Sequence, residues 1–183
     1  NKKKILYIVG NSFIFLRTRT GGFVSSAKGV IDGLIEHGYE VDIVSDSVLP
    51  GIKPNNKIKY FYYNYRLLRK FLPTKSNFNY KNIITRIDEL LFKCSINKTL
   101  NKIIRKNDYD FVYLRASTTG HHIAKITIEN NVSMVLEVNK PLSMGPFNKK
   151  SGPKWPSKKS DVKVTESERI QYETAKVITV DSP

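Results

Sequence analysis

Cysteine is nearly absent: Cys94 is the single one in 183 residues. An internal disulfide and a cysteine-based zinc site are therefore excluded, which fits a reducing cytoplasm. Acid is scarce as well. Sixteen Asp and Glu stand against 31 Lys and Arg, leaving a formal charge of +15 and a pI near 9.8. Such an excess predicts anionic company: nucleic acid, nucleotide phosphates or an acidic membrane surface. Long hydrophobic runs are missing too, and none approaches the roughly 18 residues of a spanning helix. At the start, Lys2 to Lys4 precede Ile5-Leu-Tyr-Ile-Val, and Phe13 to Leu16 follow. Gly10-Asn11-Ser12 interrupts that stretch, Arg17 follows it and no small-residue cleavage site appears, which argues against a signal peptide. The chain opens on Asn1 and stops at Asp181-Ser182-Pro183 after a strand-like run, so both ends are expected to be cut.

Several catalytic and nucleotide signatures are also lacking. A dinucleotide fingerprint needs G-x-G-x-x-G directly after the first strand, whereas here Gly10 is followed by ten residues before Gly21-Gly22. No Gly-Lys-Ser/Thr of a P-loop occurs, and no serine sits in a G-x-S-x-G elbow. Three histidines are present. His37 falls at a helix C-terminus, where a cation suits the dipole. His121 and His122 are adjacent near a helix start; such neighbours are expected to diverge, which argues against a shared metal but leaves a role for one of them in catalysis.

What is present is the composition of a globular protein, with 40% hydrophobic and 26% charged residues. Ile5 to Val9 reads as a buried strand. Val24, Ala27, Val30, Ile31, Leu34 and Ile35 follow at helical spacing, opened by Gly21-Gly22 and closed by Gly38. Tyr39 to Ser45 is the next strand, completing a right-handed βαβ unit. The alternation continues with a strand over Lys57 to Tyr63, a long helix over Tyr80 to Arg105 and a strand over Tyr109 to Leu114. A helix over Thr118 to Asn130, a strand over Val132 to Val138, a helix over Asp161 to Thr174 and a strand over Ala175 to Val180 complete it. This order predicts an α/β fold: one doubly wound, Rossmann-like domain over 1–183 with a mostly parallel sheet of six to seven strands. Met144 to Ser160, dominated by Gly, Pro, Lys and Ser, reads as a long mobile loop.

Ligands of such sheets bind beyond the carboxyl ends of the strands. That rim collects Gly10-Asn11, Ser45-Asp46, Arg115, Asn139-Lys140 and Asp181-Ser182. Arg17, Arg19 and Thr20 lead into the diglycine at a helix N-terminus, which is either an anion cradle or simple helix initiation. Between Lys53 and Lys106 the chain has 14 Lys and Arg against two acids, Asp88 and Glu89. Its centre, Tyr60-Phe-Tyr-Tyr-Asn-Tyr-Arg-Leu-Leu-Arg-Lys-Phe-Leu72, mixes aromatic and basic residues. Three readings stay open for it: a solvated basic face, a membrane-surface patch or a nucleic-acid surface, the last being the least favoured. For the membrane reading the patch is Tyr62, Tyr63, Arg66, Arg69 and Lys70.

In order along the chain, several stretches resemble family-4 retaining glycosyltransferases of GT-B fold. They are Ile5-Leu-Tyr-Ile-Val, Gly21-Gly22-Phe-Val-Ser and Gly29-Val-Ile-Asp-Gly-Leu-Ile-Glu-His-Gly-Tyr-Glu-Val-Asp-Ile-Val-Ser45, followed by Tyr109-Asp-Phe-Val-Tyr-Leu-Arg115. Val135-Leu-Glu-Val-Asn-Lys-Pro-Leu142 and Glu168-Arg-Ile-Gln-Tyr-Glu-Thr-Ala-Lys-Val-Ile-Thr-Val-Asp-Ser182 complete the series. The resemblance spans nearly the whole chain and implies the N-terminal, acceptor-side domain of such an enzyme. The donor-binding domain with its Glu-x7-Glu motif would then be absent from this chain, and the fragment inactive alone. It implies sugar transfer from a nucleotide-sugar donor to a glycan or lipid-linked acceptor in surface polysaccharide or glycolipid synthesis, with no cofactor and no metal. Gly21, Gly22 and Phe23 would face the donor diphosphate, and Asn11, Arg17, Arg19, Arg115, Asn139 and Lys140 would border the acceptor. The expected location is cytoplasmic, peripheral on the inner face of the membrane. The family's histidine after the fifth strand is Asn139 here, so no catalytic residue is carried over. Glu129 and Glu137 have the Glu-x7-Glu spacing, but at a helix end and inside a strand, so the spacing is read as coincidence. The alternative is a non-catalytic Rossmann-like module for nucleotides or nucleic acid.

Overall fold

The computed structural model describes residues 3–9, 22–45, 47–63, 78–117, 119–138 and 159–180. The chain runs β1 (Lys4–Ile8), α1 (Gly22–Glu36), β2 (Glu40–Ser45), β3 (Ile58–Tyr62), α2 (Phe78–Ile104) and β4 (Phe111–Arg115). It continues through α3 (Gly120–Glu129), β5 (Met134–Val138), α4 (Lys159–Thr174) and β6 (Val177–Val180). The strands form one six-stranded sheet in the order β3-β2-β1-β4-β5-β6, with every pairing parallel. The expected doubly wound Rossmann-like fold is thus observed. Phe111 opens β4 two residues later than expected, Met134 opens β5 and Val177 opens β6. Of the stretch expected to be a loop, Lys159 and Ser160 instead form the first turn of α4, and 144–158 lie outside the described residues.

Central strands of a parallel sheet are covered on both faces and so read as continuous apolar runs. Ile5, Leu6, Tyr7 and Ile8 of β1 are accordingly all fully buried. Successive side chains alternate between faces. Ile5, Tyr7, Val41, Ile43 and Tyr113 pack with Ala27 and Ile31 of α1. On the opposite face Leu6, Ile8, Val112, Leu114 and Leu136 pack with Phe92, Ile96 and Leu100 of α2 and Ile123 and Ala124 of α3. α1 ends as the sequence predicts. Gly38, at φ 87°, lets its own N–H reach the Ile35 carbonyl and the Tyr39 N–H reach the Leu34 carbonyl, both at 3.0 Å. α3 stops in the same manner with Asn131 at φ 53°, as the Val132 N–H donates to the Thr127 carbonyl.

A polar network runs from the core to its edge at the amino end of the sheet. The Tyr109 hydroxyl donates to Asp42 Oδ2 at 2.6 Å, and Lys4 Nζ pairs with the same oxygen at 2.8 Å. Lys4 Nζ also donates to Asn107 Oδ1 and lies 5.3 Å from the centre of the Tyr109 ring. Burial first, and then the carboxylate beside it, push the Tyr109 hydroxyl far above the ordinary tyrosine range.

Candidate functional site

The strand order reverses between β1 and β4: β2 and β3 lie on one side, β5 and β6 on the other. A crevice opens at such a switch point, beyond the carboxyl ends of the two strands. Beside it, under the first turns of α1, the structure gathers Tyr7, Ser26, Tyr113, Arg115 and Glu137. The register sets Tyr7 against Tyr113 and Arg115 against Glu137, all on the face that α1 covers. The two tyrosine rings stack at 5.3 Å between centres and 11° between planes.

Glu137 is the centre of this group. It is 2% exposed, accepts a hydrogen bond from Ser26 Oγ at 3.2 Å and lies 3.6 Å from Arg115 Nη1. Its second oxygen, Oε2, and the Tyr7 hydroxyl are both buried with no hydrogen-bond partner among the described residues. Burial, then the Glu137 and Tyr113 charges, raise the Tyr7 hydroxyl far above its usual range, with Arg115 opposing. Tyr7 is therefore a neutral donor at physiological pH. The cluster can fix a hydroxyl-bearing ligand by one acceptor and one donor, while Arg115 and the N-terminal turn of α1 favour an anion.

Of the residues expected at the site, Arg115 ends β4 and joins this cluster. Gly22 and Phe23 are the first two residues of α1. Asn11, Arg17, Arg19, Gly21, Asn139 and Lys140 lie outside the described residues, as do Arg66, Arg69 and Lys70 of the basic patch. Tyr62 is 53% exposed and stacks on Tyr60. Tyr63 corrects the expectation of a surface role: it is 2% exposed, packs edge-on against Phe92, and its hydroxyl donates to the Val9 carbonyl at 3.1 Å. One residue past β3, it falls on the same side as Phe61, the side that packs against Phe92 of α2. Glu137 and Ser26 were missed. The signal was an acid in a strand whose neighbours are all apolar, because a carboxylate is buried there only when something holds it.

The histidines also differ from expectation. His121 and His122 do not diverge; their ring centres are 3.9 Å apart. His121 Nδ1 lies 2.8 Å from Ser167 Oγ of α4. His122 is pushed down to about 4 by burial first, then by His121, Lys93 and Lys125, so it is neutral at physiological pH. Gly120 sits against the buried Gln171, which donates to the Ser117 carbonyl at 2.8 Å and accepts from the Ser117 N–H at 3.2 Å. This corner joins α3 to α4. His37 Nδ1 lies 2.8 Å from the Gly33 carbonyl at the end of α1, a local structural contact. Among the described residues no group of three or more His, Cys, Asp or Glu could hold a metal, and no helix is long and apolar enough to cross a membrane.

No family model matches the chain, and no curated protein matches it. Solved structures do. The chain is similar over its whole length to 48% of Phytolacca americana UGT2, solved with UDP-2-fluoro-glucose and pterostilbene, at 9% identity and a TM-score of 0.60. It is similar over 99% of its length to 42% of a UGT transferase from Siraitia grosvenorii solved with UDP, at 11% identity and a TM-score of 0.56. Acinetobacter baumannii MurG matches 99% of the chain at 14% identity and a TM-score of 0.50. The fold is that of a GT-B domain. The chain spans about half the length of these structures or less.

Proposed function

We propose that this GT-B domain is the acceptor-side half of a retaining, family-4-type hexosyltransferase. Such an enzyme moves a sugar from a nucleotide-sugar donor to a glycan or lipid-linked acceptor. The observation that carries the reading is the polar cluster at the switch point, on a fold shared with proteins solved with UDP or a UDP-sugar bound. Glu137 Oε2 and the Tyr7 hydroxyl offer a buried acceptor and donor suited to a sugar or lipid hydroxyl. Gly21, Gly22 and Phe23 at the N-terminus of α1 would face the donor diphosphate, and Asn11, Arg17, Arg19, Arg115, Asn139 and Lys140 would border the acceptor. The donor domain would be supplied by further chain, because transfer needs donor and acceptor positioned together and charge stabilised on the leaving diphosphate.

The acceptor is proposed to be lipid-linked, with the protein peripheral on the inner face of an anionic membrane and Tyr62, Arg66, Arg69 and Lys70 contributing contacts. The test is transfer of labelled sugar into a lipid extract by the longer protein that carries this domain. The product should retain the donor's anomeric configuration, and the 183-residue chain alone should give none. Glu137→Gln in the longer protein should lower transfer tenfold or more while the nucleotide still binds. An inverted product would remove the family-4 assignment, and absence of transfer from every nucleotide sugar would remove the enzyme reading.

A further inference from the structure

We infer that the outward face of α2 is a docking surface for anionic lipid. α2 has two faces. Phe92, Ile96 and Leu100 are buried in the core. Opposite them Ile87, Leu90 and Leu91 are 44%, 61% and 38% exposed, and Cys94 is exposed one turn on. The spacing i, i+3, i+4, i+7 makes these four residues one stripe. The same line continues into Lys98 and Lys102, both exposed. At 100° per residue the six side chains fall within an arc of about 120°, and at 1.5 Å per residue they extend over roughly 22 Å.

An amphipathic surface of this kind suits the membrane interface, where apolar side chains enter the acyl boundary and bases meet the headgroups. The charge selects the partner. From Ile87 to Lys106 the chain has five Lys and Arg against two acids, Asp88 and Glu89, and the bases all lie on the C-terminal side of the acids. A second copy would bring the same bases against these, and the whole chain carries +15. An anionic lipid leaflet is complementary to both halves of the stripe. This deepens the membrane part of the proposed function and does not depend on sugar transfer.

Because Cys94 is the chain's single cysteine and lies in the stripe, it accepts an environment-sensitive fluorophore without any substitution. With vesicles of 70% phosphatidylcholine and 30% phosphatidylglycerol in low salt, we expect a blue shift of the labelled chain, absent with pure phosphatidylcholine. Unlabelled K98E/K102E should lose affinity for the anionic vesicles by roughly 30-fold or more, from the usual contribution of each base near an anionic leaflet. Unlabelled L90S/L91S, altered at exposed positions, should also bind more weakly, with an unchanged circular dichroism spectrum. If the chain sediments with anionic vesicles but the probe does not shift and K98E/K102E binds as the parent does, the α2 assignment is overturned while the membrane reading stands. No binding at all overturns both. A concentration-dependent shift without vesicles would assign the stripe to self-association and overturn the proposal.

Discussion

Asp42 holds two donors from a nearly fully buried position. Its carboxylate receives the Tyr109 hydroxyl and the Lys4 ammonium, and it is 1% exposed. Asp42→Ala should therefore lower the unfolding free energy by about 3 kcal/mol, since the buried Tyr109 hydroxyl and the largely covered Lys4 ammonium lose their shared acceptor. Tyr109→Phe removes one donor and should cost only about 1 kcal/mol. Urea denaturation of the two variants measures both. His122 gives a pH dependence with a definite sign. Its folded value is lowered to about 4 from 6.5, so below pH 6.5 the unfolded chain takes up a proton that the folded chain refuses. The stability present above pH 6.5 should decline as pH falls towards 4 and change no further from this source below that. His122→Gln should flatten the slope in that window, read as Tm against pH. At this scale the sequence was least legible. Asp42 and Tyr109 are 67 positions apart, and Ser26 and Glu137 are 111 apart, so no local pattern pairs them.

Elements were easier to read, because each carries its own punctuation. α1 was bounded by glycine at both ends, and Gly38 occupies the left-handed conformation that its position requires. The long helix α2 was legible from its apolar spacing, but its two apolar faces were not separable in sequence. A buried Phe92 and an exposed Leu91 look alike until the sheet is in place. The α3–α4 corner was not legible at all. A Cβ at Gly120 would lie 2.0 Å from Gln171 Oε1, although nothing around that glycine in sequence calls for a small residue. Gln171 is fully buried and bonded to the Ser117 backbone, so it cannot swing aside without breaking those bonds. Gly120→Ala should therefore destabilise by about 1–3 kcal/mol. Adding Gln171→Ala should cost less than the sum of the two single changes, a double-mutant cycle that thermal melts can resolve.

For the molecule as a whole, strand number and direction were fixed by alternation of short apolar runs with helical periodicities, which is why the doubly wound sheet was readable. What could not be read was which rim residues meet, since that depends on register across strands far apart in sequence. Arg115 is marked in sequence by its strand-end position and by the family resemblance, whereas nothing local marks Glu137, its neighbour across the β4–β5 register, as its partner. The two halves of the sheet, β1 to β3 and β4 to β6, join through the β1–β4 seam. Contacts within each half close shorter loops than the seam, which brings together partners 106 positions apart, such as Lys4 and Asp110. Loop closure over that distance is slow relative to local pairing. Pulse-labelled hydrogen exchange during refolding should protect the β2 and β5 amides before the amide of Asp110, which donates to the Lys4 carbonyl across the seam at 2.9 Å, and simultaneous protection would contradict this order. The crevice lies at the end of this seam, so the proposed site is the last part of the molecule to form. A growing polypeptide would acquire the ability to hold its ligand only when its two separately formed halves close together.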